Sequence, residues 1–215
     1  MKNNTIDSKL LLARVAMENT LGNKPILDAL SVFGYNSKKI KEGMALLEDA
    51  EQKHAQQKKE YGEQFSATDD MTSAMEKLND TYMGQVMVSR IALKDKRGHY
   101  QTLQIQGRRK KTYSGWLKQA AIFYTNALND KEILAELSKF GMTPVVLEKG
   151  LVAIKEIEKK IAQQKRETGE AQEATAVRDE AFEKIEDWVG DFLGVARVAL
   201  RGQPQMIESL GVVEP

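Results

Sequence analysis

The sequence predicts an all-α fold built from two copies of one helical unit. Three observations carry this prediction. No stretch alternates apolar and polar residues as a half-buried strand does, and apolar residues instead recur every three or four positions. The chain also matches itself without gaps when it is shifted by 107 residues. We look for such a repeat first, because it decides the architecture.

The internal match is clearest in three pairs of segments. Residues 26–34 align with 133–141, residues 55–63 with 162–170, and residues 88–94 with 195–201. About 25 of the 69 aligned pairs that begin at position 26 are identical, where chance gives a handful. The period exceeds the roughly 20–50 residues of solenoid repeats. We therefore expect a tandem duplication, with residues 1–107 as helical repeat 1 and 108–215 as helical repeat 2, packed as one structural unit.

Each copy begins with two predicted helices. The first covers about 7–21 and again 113–128, and a short one covers about 25–33 and 132–140. Pro25 lies where a first-turn proline is tolerated. Gly34 and Gly141 follow the short helices, in the position of a C-terminal cap.

Two long helical segments and a short last helix complete each copy. The first long segment begins after Asn36 in copy one and at Thr143-Pro144 in copy two, both of which are helix-start signals. Apolar stripes at helical spacing run along both segments. In copy two they consist of Leu147, Leu151, Ile154, Ile157 and Ile161, and then of Phe182, Ile185, Val189, Leu193 and Leu200.

The joint between the two long segments decides the architecture. Residues 66–73 read Ser-Ala-Thr-Asp-Asp-Met-Thr-Ser, which is typical of a turn and a cap, whereas residues 170–179 are nearly all good helix formers. A turn gives antiparallel long-helix hairpins that form a four-helix-bundle-like core with short accessory helices. The alternative is one unbroken helix per copy, giving two helical lobes joined by a long antiparallel two-helix stalk. Because helices of that length are rare, we favour the hairpins.

A four-helix core suggests a ferritin-like di-metal site, which needs Glu-x-x-His from two of its helices. Copy one contains Glu51-Gln-Lys-His54, but copy two has Glu158 and Ile161 at the matching positions. The whole chain has only two histidines, so this site cannot be assembled. We therefore expect no metal and no cofactor, and we expect His54 to pack in or near the core. A metal that did bind here would use Glu51 and His54.

No motif for catalysis is present. The chain has no cysteine, which excludes disulfides, thiolate metal sites and cysteine catalysis. Carboxylates are plentiful, but most lie beside lysines at helical spacing, as Glu156 does beside Lys160, and such pairs are typical of a solvated helix face. No phosphate loop, nucleophile elbow or dinucleotide fingerprint occurs. We therefore predict no catalytic residue and no enzymatic activity.

A polar block recurs in the middle of each copy. The block reads Ala-Gln-Gln-Lys-x-Glu-x-Gly-Glu, and it falls where the apolar stripe is weakest. One interpretation is common ancestry and a solvated helix. The other is a polar patch for a partner, whose candidate residues are Gln57, Lys58, Glu60, Gln164, Lys165 and Glu167.

A basic seam joins the two copies, and it consists of Arg108, Arg109, Lys110 and Lys111. Basic side chains next to aromatic ones can neutralise phosphates and stack on bases. Three aromatic residues lie near this seam in the sequence, Tyr100, Tyr113 and Trp116. However, the net charge of +1 disfavours a generally cationic nucleic-acid binder. A solvated linker is the interpretation that we favour.

The repeated Phe-Gly pairs, the Gln-Lys-x-Glu-x-Gly-Glu block and the ending around residues 196–201 and 207–211 resemble a group of uncharacterised, all-helical bacterial proteins. The resemblance implies a fold and a bacterial origin, and no activity or functional residue. The N-terminal segment is expected to form an amphipathic helix rather than a signal peptide.

From the sequence we expect a cytoplasmic interaction or scaffold protein. Its partner is expected to be another protein, with no membrane and no nucleic acid involved, and the chain is expected to be a monomer or a homodimer. A helical bundle that binds a small ligand or a metal is the first alternative. Nucleic-acid association through the basic seam is the second.

Overall fold

A computed structural model describes residues 5–211, and within that range the fold is all-α without a strand. Eight helices follow one another. They are α1 (Ile6–Gly22), α2 (Lys24–Ser31), α3 (Ser37–Ala92), α4 (Arg97–Thr102), α5 (Tyr113–Asn129), α6 (Lys131–Ser138), α7 (Pro144–Ala199) and α8 (Pro204–Ser209). The bounds of α5 to α8 are those of α1 to α4 increased by 107. The predicted short helices are confirmed to within a few residues.

The helix ends use the caps that the sequence predicts. The Asn36 side chain accepts a hydrogen bond from the Lys39 amide at 3.0 Å, and α7 starts at Pro144. After α2 the chain turns through Gly34, whose φ of +89° belongs to the left-handed region that glycine adopts without strain. The Tyr35 amide then donates to the Leu30 carbonyl, which gives the hydrogen bond of a Schellman cap.

The hairpin prediction is wrong, because each pair of long segments forms one helix of 56 residues. No proline interrupts residues 63–83 or their counterparts. The threonines that suggested a cap form hydrogen bonds within the helix instead, since the Thr68 hydroxyl donates to the Gln64 carbonyl at 2.9 Å. Thr175 does the same to Ala171 in α7. The four-helix bundle of two hairpins is therefore not formed, and continuous long helices are found.

The chain divides into two compact units, each with its own core. Unit 2 is the continuous segment Glu63–Thr168. It combines the second part of α3 with α4, α5, α6 and the first part of α7. Its core is rich in aromatic rings, and four buried ones are Tyr82, Trp116, Phe123 and Tyr124. The centre of each ring lies within 6.5 Å of the centre of at least one of the others.

Unit 1 contains the described residues up to Gly62 together with those from Gly169 onward. It combines α1, α2 and the first part of α3 with the second part of α7 and α8. Its core includes Met17, Leu47, Phe192 and Leu200, all fully buried. The compact units therefore do not coincide with residues 1–107 and 108–215, since each unit draws helices from both halves of the sequence.

Candidate interaction and ligand sites

An apolar groove lies on unit 1 between α1, α7 and the end of α8, with a volume of about 290 Å³. Its walls are mostly aliphatic or aromatic, and six of the lining residues are Leu10, Leu12, Phe182, Val189, Leu193 and Leu210. An ion pair lies at its edge, where the Lys9 Nζ is 2.6 Å from a Glu186 carboxylate oxygen. The same ammonium lies 5.3 Å from the centre of the Phe182 ring. We call this feature the unit 1 groove.

Three exposed aliphatic side chains continue the apolar surface beside the unit 1 groove. Leu11 is 61% exposed, Leu12 54% and Val15 36%, and all three belong to α1. The positions 107 residues later in unit 2 hold Lys118, a buried Gln119 and a half-buried Ile122. Together with the unit 1 groove, these three side chains form what we call the α1 face.

The unit 1 groove exists because unit 1 has smaller side chains than unit 2 at matching positions. Unit 2 has Tyr82 and Met83 where unit 1 has Val189 and Gly190. Tyr82 is 1% exposed and packs among aromatic rings, so unit 2 fills this volume with its own side chains. Sequence reasoning missed the groove, although the size difference between residues 82–83 and residues 189–190 was a signal for it.

A second cavity, the unit 2 pocket, lies between α3 and α7 with a volume of about 490 Å³. Leu78, Val146, Ala153 and Ile157 provide apolar lining. Thr81 and Gln85 line it from α3, and Lys77, Lys149 and Glu156 supply its charged groups. The Gln85 Oε1 atom is buried and has no hydrogen-bond donor within the described part of the chain.

The metal candidates Glu51 and His54 are engaged with other side chains of unit 1. Both carboxylate oxygens of Glu51 accept from the Arg14 guanidinium, at 2.5 and 3.4 Å. The His54 ring lies 3.2 Å from an Asp7 oxygen through its Nε2 atom, and Lys58 approaches the same carboxylate at 3.3 Å. The hydrogen bond from Lys58 is the main reason why the pKa of Asp7 is lowered. These contacts attach α1 to α3.

The two polar blocks, residues 55–63 and 162–170, lie within α3 and α7. Their side chains are partly committed to local contacts, since Gln164 donates to Thr168 and Glu167, which is 9% exposed, accepts from Arg166. Glu60 accepts from Gln56 on the preceding turn. The partner-binding role of Gln57, Lys58, Glu60, Gln164, Lys165 and Glu167 stays a prediction.

The basic seam packs on the core of unit 2. The Arg109 guanidinium lies 5.2 Å from the centre of the Trp116 ring, and the Lys110 amide donates to the Gln119 side chain at 3.1 Å. Trp116 is 2% exposed, so its ring cannot stack on a base. The Tyr100 hydroxyl donates to the Arg90 carbonyl, which leaves Tyr113 as the exposed aromatic residue of the three.

Comparison with known proteins identifies no relative, since no protein family, no curated protein and no solved structure matches the chain. Within residues 5–211, no helix is both long enough and apolar enough to cross a bilayer. Statements about function therefore depend on the geometry of the two units.

Proposed function

We propose that the protein is a non-enzymatic interaction module of the cytoplasm that binds another protein through the α1 face of unit 1. The observation that carries this proposal is the group of exposed aliphatic side chains beside an apolar groove. Single exposed leucines are ordinary on a protein surface, but a contiguous apolar patch with a concave centre is typical of an interaction site.

The comparison between the units supports a specific role for the α1 face. We infer that the chain is a tandem duplication, because every helix recurs after 107 residues with the same length. Two copies that fold alike need not keep the same surface. Unit 2 carries Lys118 and Gln119 where unit 1 exposes Leu11 and Leu12. Since these leucines are 61% and 54% exposed, contact with a partner explains them better than packing in the core does.

The surroundings of the α1 face fit a protein partner that inserts an apolar side chain. Ion pairs flank the face, among them Lys9 with Glu186 and Arg14 with Glu51. An apolar centre inside a polar edge is the usual anatomy of a protein interface. The groove volume of about 290 Å³ is large enough for a few side chains of a partner.

The proposal is tested by photocrosslinking in the native cell. A photoreactive amino acid replaces Leu12 in the full chain, and the crosslinked protein is identified and purified. The decisive variant is Gly190→Leu, which places a side chain in the unit 1 groove, where a Cβ meets no neighbour within 4 Å. We expect this variant to raise the Kd of the complex between the chain and its purified partner at least tenfold.

Gly194→Leu is the matched control. It makes the same change one turn further along α7, again without a clash, at a position outside the groove lining. We expect it to bind the partner as the unaltered chain does. Equal binding by Gly190→Leu contradicts the proposal, as does crosslinking to a second copy of the chain, which makes the α1 face a homodimer interface.

A further inference from the structure

We propose that residues 212–214 of the same chain cover the α1 face of unit 1, with Val212 in the place that Ile105 has in unit 2. These residues lie outside the described range. A partner then binds the α1 face only after the segment has been displaced. The displacement rests on the proposed function, whereas the place of Val212 is tested without any partner.

In unit 2 the chain that follows α4 covers the matching surface of α5. Ile105 is 2% exposed and belongs to the core of unit 2. Gln119 takes the position of Leu12. Its side chain donates to the Gln104 carbonyl at 2.7 Å and accepts from the Lys110 amide at 3.1 Å. Gln119 is therefore only 7% exposed, whereas Leu12, with no such cover among the described residues, is 54% exposed.

The chain approaches this surface in the same way in both units. Gln104 and Gly211 occupy matching positions and both have a positive φ, +53° and +78°. The first helix of each unit holds the preceding turn through an asparagine, Asn19 or Asn126, whose side chain donates to a backbone carbonyl at 2.6 Å. A Cβ on Gly211 would lie 3.6 Å from the Leu12 side chain. Continuation along the path of unit 2 therefore brings the next residue, 212, onto the α1 face.

An arginine without a partner matches the one that holds this stretch of chain in unit 2. The Arg90 guanidinium donates to the Ile105 carbonyl at 2.8 and 3.0 Å and to the Gly107 carbonyl at 2.6 Å. Arg197 takes the position of Arg90, and its side chain makes no hydrogen bond or ion pair within residues 5–211. The matching acceptors are the carbonyls of residues 212–214. A segment placed as in unit 2 therefore supplies them to Arg197.

The segment is held less firmly in unit 1 than its counterpart is in unit 2. Val212 removes apolar surface of the α1 face from water, which favours contact. However, Leu12 cannot make the two hydrogen bonds of Gln119, and valine buries less apolar surface than isoleucine. A partner that inserts larger apolar side chains can therefore replace the segment, whereas the matching stretch of unit 2 stays closed.

The place of Val212 is tested by thiol reactivity. The chain has no cysteine, so one introduced thiol reports its own exposure. Val212→Cys is compared with Val213→Cys in the full chain, because residue 213 matches Gln106, which is exposed in unit 2. We expect the first thiol to react with a bulky maleimide at least tenfold more slowly than the second in the folded chain, and equally fast in urea.

A second variant tests the contact with the arginine. Combined with Val212→Cys, Arg197→Gln should raise the rate of thiol modification at least threefold. Arg201→Gln is the matched control, since Arg201 is also exposed without a side-chain partner among the described residues, and it should leave the rate unchanged. Circular dichroism confirms that each variant is folded.

The displacement is tested with the partner that the Leu12 crosslink identifies. Val212→Asp places a charge on an apolar surface and releases the segment, so we expect the Kd of the complex to fall at least threefold. Val213→Asp adds the same charge at the position that matches an exposed residue, and it should leave the Kd unchanged.

Each failure has its own signature. Equal modification rates of the two thiols in the folded chain overturn the place of Val212, and the Gly190→Leu test of the α1 face is unaffected by that result. An unchanged rate with Arg197→Gln, or an unchanged Kd with Val212→Asp, also contradicts the proposal. If the thiol at 212 is protected but Gly190→Leu binds the partner normally, the proposed function fails and the place of Val212 stands.

Discussion

Two tyrosines in the core of unit 2 are removed from water by neighbouring rings. Tyr82 is 1% exposed and Tyr124 is fully buried. Burial disfavours a phenolate, and it raises the pKa of Tyr82 to about 12 and the pKa of Tyr124 further still. The Tyr124 hydroxyl differs from most buried polar groups, because it has no hydrogen-bond partner within residues 5–211.

We expect Tyr124→Phe to leave the protein equally stable or to raise its free energy of unfolding by about 1 kcal/mol. The substitution keeps the ring and removes a hydroxyl whose desolvation is not offset by a hydrogen bond. Urea unfolding followed by circular dichroism measures the change. Tyr100→Phe is the control, since it removes a hydroxyl that donates to the Arg90 carbonyl, and it should lower the same quantity. A loss for Tyr124→Phe as large as that of the control contradicts the prediction.

Alkaline pH should destabilise the protein through Tyr82. In the unfolded chain a tyrosine loses its proton near pH 10, whereas in the folded state the pKa of Tyr82 is about 12. The unfolded state therefore releases its proton first. The contribution of Tyr82 to the free energy of unfolding is fully present below pH 10. As the pH rises toward 12, about 2 kcal/mol of it is lost. Urea unfolding at several pH values measures this decrease.

Tyr82→Phe isolates this effect from the titration of lysines. The variant should lose less stability between pH 10 and 12 than the unaltered chain does, and its ultraviolet phenolate titration should have one late-ionising tyrosine fewer. Identical pH dependence of the two proteins would show that Tyr82 ionises as freely in the folded state as in the unfolded one.

At the scale of the helices, the glycines near the centre of α3 and α7 are replaceable. Gly62 and Gly169 lie inside helices, and a Cβ added at either position meets no other atom within 4 Å. Glycine destabilises a helix interior by roughly 1 kcal/mol relative to alanine. We therefore expect Gly62→Ala and Gly169→Ala each to raise the free energy of unfolding by about that amount in urea titrations.

Gly43→Ala and Gly150→Ala form the matched control pair. A Cβ at Gly43 overlaps the Trp188 ring, and a Cβ at Gly150 overlaps the Tyr124 ring. Since overpacking usually costs about 1–3 kcal/mol, both variants should be less stable than the unaltered chain. A gain at Gly43 or Gly150, or a loss at Gly62 or Gly169, would contradict the packing described.

The sequence allowed the helices to be predicted better than their continuity. Caps are local, so Asn36, Pro25 and Gly34 could be interpreted from neighbouring residues alone. The joint at residues 66–73 could not, because serine, threonine and aspartate serve equally in a turn and on a solvated helix. The choice depends on packing on both sides of the joint, where Ala67 is 8% exposed and Met71 packs on the core of unit 2.

The candidate sites were harder to predict, because they consist of missing volume. Sequence motifs consist of residues with reactive or metal-binding side chains, and such a pattern indicated Glu51 and His54. In the structure these two side chains pair with Arg14 and Asp7. The unit 1 groove lies where unit 1 has a smaller residue than unit 2. Val189 takes the position that matches Tyr82, but this difference can be interpreted only after the folds of both units are known.

At the scale of the whole molecule, a cut in the loop between α4 and α5 should leave the protein folded. Each unit takes helices from both sides of this loop, so the fragments 1–107 and 108–215 are held together by both cores. After one cleavage between Gly107 and Arg108, we expect the fragments to elute together in size-exclusion chromatography with their helix content retained.

The separated fragments provide the control. After denaturation and isolation, fragment 1–107 has Tyr82 and Val86 without Phe123 and Leu147, so the core of unit 2 is incomplete. It should not refold as a monomer, and mixing it with fragment 108–215 should restore the helical signal. A stable helical monomer of either fragment would contradict this expectation.

The same division has a consequence for the ancestry of the chain. If a gene for one copy came first, its product could not have closed either core by itself, because every core here needs a long helix from each half. On the proposed duplication, such an ancestor would have been a homodimer that exchanged helices between two identical subunits. Gene fusion would then have made the two cores parts of one polypeptide, and symmetry would no longer have forced them to be alike. The groove of unit 1 and the pocket of unit 2 could arise separately from that point.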